Sequence, residues 1–177
     1  MYTLEDIWED FQNVYDAWFK ALQGYSEMDL WRAHPDGGWS LGQIYQHILN
    51  GTVNFQVIVI KELMESREDL DKEMSDIGVI SYRENAFPPR RFSTHRDSAN
   101  EPDMSNKMAL RNQMKRAYRA VEEVKGLLEN DPPSGKFQHQ IFGFLDAKQW
   151  YQNIPMHWRH HLRQKEALDE LFATAAA

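Results

Sequence analysis

The sequence predicts an all-α protein, a four-helix bundle with a long connection between its second and third helices. In four long stretches, apolar residues recur at the three- and four-residue spacing of an amphipathic helix. No segment convincingly alternates apolar and polar residues in the way a half-buried strand does. The length of 177 residues fits one domain, which we expect to span residues 1–177.

The first two predicted helices have clear start signals. The first begins at Thr3, a favourable N-cap, and stops at Gly24, a residue type favoured at helix ends. The second begins at Ser40, which stands three residues before Gln43 in the register of a capping box. Its apolar stripe continues to about Ser66.

The third and fourth predicted helices lie in the C-terminal half. The third covers roughly residues 105–130, before a proline-rich break. The fourth begins where Asp146 and Gln149 again have capping-box spacing, and it continues to about Phe172. Pro155 lies inside this helix and removes one backbone hydrogen bond. A kink at this residue and a boundary between two helices are equally compatible with the sequence.

The connection from Arg67 to Met104 is too long for an ordinary loop and too short for an independent core. We expect it to cover a metal pocket or a subunit edge, with Phe87, Pro88, Pro89 and Phe92 packed on the bundle. In that position Arg90, Arg91 and Arg96 would bring positive charge near an anionic substrate. The alternatives are that these arginines face solvent or that the segment is a disordered tether.

Composition excludes several classes of function. The chain has 27 acidic and 20 basic residues and a net charge of -7, so nucleic acid and anionic membranes are not expected as partners. It has no cysteine, which excludes disulfides and thiolate ligands, and any metal must bind nitrogen or oxygen. The N-terminus is acidic and amphipathic, and no long apolar run occurs. We therefore expect a cytoplasmic protein.

The first helix carries large apolar side chains on more than one side. Apolar surface of that extent commonly marks a partner, so we predict a homodimer. The alternative is that the long connection folds over this surface. The side chains in question are Trp8, Phe11, Tyr15, Trp18 and Phe19.

Histidines indicate a metal site. His157 and His161 are four residues apart in the last predicted helix and share one face, so both imidazoles can approach one ion. A third ligand must come from elsewhere, and His47 borders the apolar stripe of the second helix. Taken alone, His157 and His161 can also belong to a solvated helix end. His47 alone can be a core residue whose nitrogens are hydrogen-bonded. Gln164, one turn beyond His161, can orient a ligand or belong to a polar edge.

Three motifs, in order, resemble the DinB/YfiT-like superfamily of metal-dependent enzymes. The stretch Trp39-Ser40-Leu-Gly-Gln-Ile-Tyr-Gln-His47 is similar to the opening of its second helix. Phe142-Gly-Phe-Leu145 followed by Trp150, and then His157-x-x-His160-His161-x-x-Gln164, is similar to its last helix. The resemblance covers essentially the whole chain, including the proline-rich link.

The resemblance implies a four-helix bundle in which His47, His157 and His161 bind a divalent ion, Zn or Ni. His160 then points about 100° away and is not expected to ligate. An ion with three neutral protein ligands keeps an open position and acidifies water, so we expect a hydrolase of a small-molecule substrate. No acidic general base is evident. The alternatives are a metal- and thiol-dependent transferase or isomerase, and a non-catalytic metal-binding or interaction module.

Overall fold

The protein is mostly helical in a computed structural model, which describes residues 2–35, 37–88, 106–130 and 134–174. Three of its four long helical segments are α1 (Leu4–Gly24), α6 (Lys107–Leu128) and α7 (Ala147–Thr174). The remaining long segment joins α3 (Leu41–Gly51), a π turn (Thr52–Gln56) and α4 (Val57–Glu65). The short elements are α2 (Glu27–Trp31), α5 (Asp76–Arg83), β1 (Lys136–His139) and β2 (Gly143–Asp146).

Side-chain caps fix where the long helices begin, as the sequence predicts. The Thr3 hydroxyl accepts the backbone N–H of Asp6, and the Asp6 carboxylate accepts that of Thr3. Ser40 and Gln43 form the same reciprocal pair at the start of α3. Before α7, the N–H of Gln149 donates to the Asp146 carboxylate over 2.8 Å. Each box satisfies N–H groups that a helix start leaves without a partner.

The second long segment contains a π turn that the sequence analysis does not anticipate. Helix α3, the π turn and α4 follow one another without a gap, so the predicted helix to about Ser66 is present in extent. Within it, the backbone N–H of Val57 donates to the carbonyl of Thr52, the wider bonding of a π turn. The Thr52 hydroxyl also donates to the carbonyl of Ile48 over 2.8 Å. This extra bond offers the backbone an alternative to the regular helical pattern.

Three buried aromatic side chains of the core donate hydrogen bonds between helical segments. The indole N–H of Trp18 on α1 donates to the carbonyl of Trp158 on α7 over 3.2 Å. The hydroxyl of Tyr45 on α3 donates to the Trp18 carbonyl over 2.8 Å. The indole N–H of Trp158 donates to the Thr52 hydroxyl over 2.8 Å. These bonds fix how α1, α3 and α7 are rotated about their axes, because each donor has one acceptor within reach.

Two short helices and a two-stranded hairpin were not predicted. Helix α2 begins with its own capping box at Ser26, and α5 lies inside the long connection. Strands β1 and β2 form an antiparallel hairpin. The hairpin packs closely on α5 through glycines: a Cβ on Gly78 would lie 2.3 Å from the Phe142 carbonyl oxygen. Gly143 has φ +78, and a Cβ there would lie 2.5 Å from the Ser75 nitrogen, so both positions require glycine.

The large side chains of α1 are buried within the chain. Trp8, Phe11, Tyr15 and Trp18 are at most 8% exposed, and Phe19 packs partly buried against the core. The rings of Trp8, Phe11 and Tyr15 contact Tyr118 on α6, and those of Phe11 and Tyr15 also contact Trp158. These side chains therefore no longer supply a reason for a homodimer, which stays a prediction. Among the described residues, side chains of α6 and α7 cover them.

Neither α6 nor α7 resembles a membrane span, although they have 22 and 28 residues. Charged side chains recur along the outer faces of both helices. Across the described ranges, no helix combines the length and the apolar character needed to cross a bilayer.

Substituting Thr52→Val tests the hydrogen bonds that hold α7 in place. Valine keeps the volume but leaves the buried indole N–H of Trp158 without its acceptor, which costs about 1–3 kcal/mol of unfolding free energy. Urea denaturation measures the loss. In a Trp158→Phe background, which lacks that N–H, Thr52→Val should cost clearly less. An equal cost in both backgrounds would refute the assigned role of this bond.

Candidate metal centre

Three histidines from two helical segments meet at one point. His47 lies two turns into α3, and the Ser40 capping box sets its register by fixing where that helix begins. His157 and His161 lie on adjacent turns of α7, so their side chains share one face. The structure thus brings together the three residues that the sequence analysis selects.

The imidazole nitrogens are spaced as ligands of one ion. The Nε2 atoms of His47 and His157 are 3.2 Å apart, and those of His157 and His161 are 3.0 Å apart. One nitrogen from each ring lies within 4.8 Å of the other two. Two nitrogens bound tetrahedrally at 2.0–2.1 Å from zinc are about 3.3 Å apart, close to these distances. These spacings are compatible with the three nitrogens binding one divalent ion.

Burial keeps two of the three histidines, His157 and His161, neutral. The pKa of His157 lies well below its ordinary value because burial disfavours the charged form, and His161 and His47 add positive charge nearby. Burial likewise lowers the pKa of His161 to about 3, with smaller contributions from His47 and His160. A metal ligand must be deprotonated, so both imidazoles are ready to bind at neutral pH without releasing a proton.

Gln164 orients one of the candidate ligands, His161. The Nδ1–H of His161 donates to the amide oxygen of Gln164 over 2.9 Å, which directs the Nε2 lone pair toward the other two histidines. The amide nitrogen of Gln164 lies 3.4 Å from Nε2 of His160, so the side chain bridges the two neighbouring imidazoles. His160 is absent from the ligand cluster, in line with its predicted direction.

Aromatic rings border the cluster, a feature the sequence analysis did not identify for Trp39. The Trp39 ring lies 4.7 Å from the ring of His47 and stacks at 6.2 Å on that of His161, measured between centroids. The Phe87 ring stacks at 4.9 Å on His160 and lies 6.1 Å from His157. Such rings reduce the access of water to the imidazoles.

Phe87 belongs to the connection that was expected to cover the metal pocket, and it is 7% exposed. It follows Asn85, which has φ 50 and whose amide donates to Asp10 on α1 over 2.8 Å. Arg159 on α7 donates to the Asn85 carbonyl over 2.7 Å and also pairs with Asp10. This network ties the end of α5 to α7 beside the histidines. The predicted positions of Phe92, Arg90, Arg91 and Arg96 lie outside the described residues.

Two residues near the histidines, Gly51 and Pro155, have defined places. A Cβ on Gly51 would lie 3.6 Å from Cε1 of His157, an ordinary contact, so the site leaves room for alanine there. Helix α7 continues through Pro155, which is buried. The alternative in which one helix ends and another begins at Pro155 is therefore wrong, and His157 and His161 belong to the same helix as Trp150.

The fold is mostly helical, and three histidines converge within it. These two features place the protein among helical proteins with a histidine site that could hold a metal ion. The family model of the DinB superfamily matches residues 10–164, most of the chain. The protein belongs to the DinB superfamily. The matched range includes all three site histidines and ends at Gln164. A comparison with curated proteins finds no match.

Adjacent histidine variants test the ligand set. His161→Ala removes an Nε2 donor and should abolish stoichiometric binding of zinc. His160→Ala should spare most of it, because that ring lies against Phe87 outside the cluster. Elemental analysis of tag-free protein after dialysis against zinc gives the occupancy. If both variants lost zinc equally, the assignment of His161 as a ligand would be wrong.

Gln164→Leu tests the orientation of His161. Loss of the acceptor should weaken zinc binding about 10–100-fold, the usual cost of removing a partner that orients a ligand. Gln164→Glu keeps an acceptor for Nδ1–H and should bind at least as tightly as the wild type. Competition with a chromophoric chelator measures both affinities, and an unchanged affinity in Gln164→Leu would contradict the role.

Proposed function

We propose that the protein is a metal-dependent hydrolase of a small-molecule substrate, built on a DinB-type four-helix bundle over residues 1–177. One observation carries the proposal: Nε2 atoms of His47, His157 and His161 converge at 3.0–3.2 Å between neighbours. Among the described residues, this is the group of side chains that can hold an ion, and it contains no carboxylate. Three neutral donors leave the full charge of a divalent ion uncompensated, which favours Lewis-acid chemistry.

Zinc or nickel suits this donor set, because imidazole binds both metals well. When bound, such an ion supplies Lewis acidity that polarises a substrate oxygen and lowers the pKa of water toward about 7. Three protein ligands leave a coordination position for that chemistry, as catalytic sites do and closed structural sites do not.

The protein's own side chains prepare the site in three ways. Burial holds the imidazoles of His157 and His161 neutral. Gln164 fixes the tautomer of His161. The rings of Trp39 and Phe87 place apolar surface against the histidines, and a lower local dielectric strengthens the interaction between an ion and substrate charge. Each of these effects serves binding and orientation, and none supplies a general base.

Metal reconstitution combined with two activity panels tests this function. Chelated, tag-free protein is loaded separately with zinc and nickel and assayed with nitrophenyl esters and phosphate esters, and in parallel for transfer to low-molecular-weight thiols. We expect ester hydrolysis that returns with metal. It should fall by more than about 100-fold in His157→Ala, because loss of a ligand should cost more than loss of a residue that orients one.

The other outcomes separate the alternatives. Turnover that requires both metal and thiol, without hydrolysis, would establish a transferase or isomerase in place of a hydrolase. Retention of bound metal without turnover in either panel would support a metal-binding module. His160→Ala is the matched control, and it should retain the metal dependence of the wild type.

A further inference from the structure

A long groove lies between two helical segments away from the histidines. The π turn and α4 form one wall, α6 forms the other, and the cavity has a volume of about 690 Å³. Val53, Val57, Ile58 and Ala120 give it an apolar floor, and Ile58 is 46% exposed. No histidine of the described residues lines it. Its volume falls within the 300–1,000 Å³ typical of small-molecule sites.

The rim of the groove is strongly basic. It includes Lys61 from α4 and Lys115, Arg116 and Arg119 from α6. In the described part of the chain, one carboxylate lies among them, that of Glu123. That carboxylate is already paired, because Lys61 Nζ lies 2.6 Å from its Oε1. The ion pair joins the two walls at one end of the groove. Among the described residues, the positive charge of the three α6 side chains has no anionic partner there.

A cluster of cations is unusual in this acidic protein, and the repulsion between the cations lowers the stability of the fold. The whole chain has a net charge of -7, yet four cations line one groove. Arg119 follows Lys115 by four residues and Arg116 by three, so these side chains are neighbours on one helix face and repel one another. Among the described residues none of the three forms an ion pair that would offset this repulsion. An anion bound between them would relieve it.

We propose that this groove binds a small amphipathic organic anion, with its acidic group held by Arg116 and Arg119 and its apolar body on Val57 and Ile58. Arginine is the residue suited to bidentate binding of carboxylate, sulfonate or phosphate oxygens. From Val53 to Lys61 the wall rises about 12 Å, at 1.5 Å per residue, which accommodates a ring system or a medium-length chain. The site does not depend on the proposed hydrolase, since none of its side chains belongs to the histidine cluster.

A matched pair of fluorescent probes tests the proposal on the intact protein. Anilinonaphthalenesulfonate is an aromatic anion, and phenylnaphthylamine has the same rings without the sulfonate. We expect the anion to bind with a stoichiometry near one and the neutral probe to bind clearly more weakly. Added salt should weaken binding of the anion, because the interaction is with exposed charges. Equal binding of the two probes, independent of salt, would overturn the proposal.

Variants locate the site. Arg116→Gln with Arg119→Gln should weaken binding of the anion about five-fold or more, as expected for loss of two exposed charge contacts. Lys20→Gln with Arg83→Gln removes two cations elsewhere and is the control for net charge. Ile58→Ser should weaken binding of both probes through the floor. His157→Ala should leave binding unchanged, whereas loss of binding there would place the anion at the metal centre and refute the groove.

Discussion

The position of Trp158 is the constraint on which the site depends. Its ring is fully buried, its indole N–H is bound by Thr52, and its carbonyl accepts the indole N–H of Trp18. Since each helical residue turns by about 100°, fixing one inward side chain fixes the directions of its neighbours. His157 and His161 then lie about 40° apart on one side of Trp158, toward α3. The core contacts of one tryptophan therefore aim two ligands at His47.

The cluster of His47, His157 and His161 lowers the stability of the folded protein as long as no ion occupies it. It buries imidazoles that would otherwise be hydrated, and Nδ1 of His157 has no hydrogen-bond partner among the described residues. An ion that binds this arrangement and not the unfolded chain adds its binding free energy to stability. In the absence of an ion, packing and hydrogen bonds elsewhere in the fold must offset this cost.

The sequence was informative where a local signal decides the structure. The N-cap at Thr3 and the capping pairs at Ser40 and Asp146 predicted three helix starts, and histidine spacing with a family resemblance selected the cluster. Tertiary contacts decided the rest. The four-residue strands of the hairpin are too short for a periodic signal, and their position depends on the close approach of Gly78 and Gly143 to neighbouring backbone. The burial of the α1 aromatics likewise depends on α6, which no local pattern reveals.

The π turn lets one helical segment serve two neighbours. Ile48, Thr52, Gln56 and Ile60 are all buried at a spacing of four residues. In a regular α-helix, twelve residues at that spacing would drift about 120° around the axis. The wider π turn reduces this drift, so Thr52 still meets Trp158 and Gln56 still donates to Asn153 on α7 over 2.9 Å. With those polar side chains held inward, Val53 and Val57 are left facing α6. The same backbone irregularity thus fixes the helix that carries two histidines and forms the wall of the basic groove.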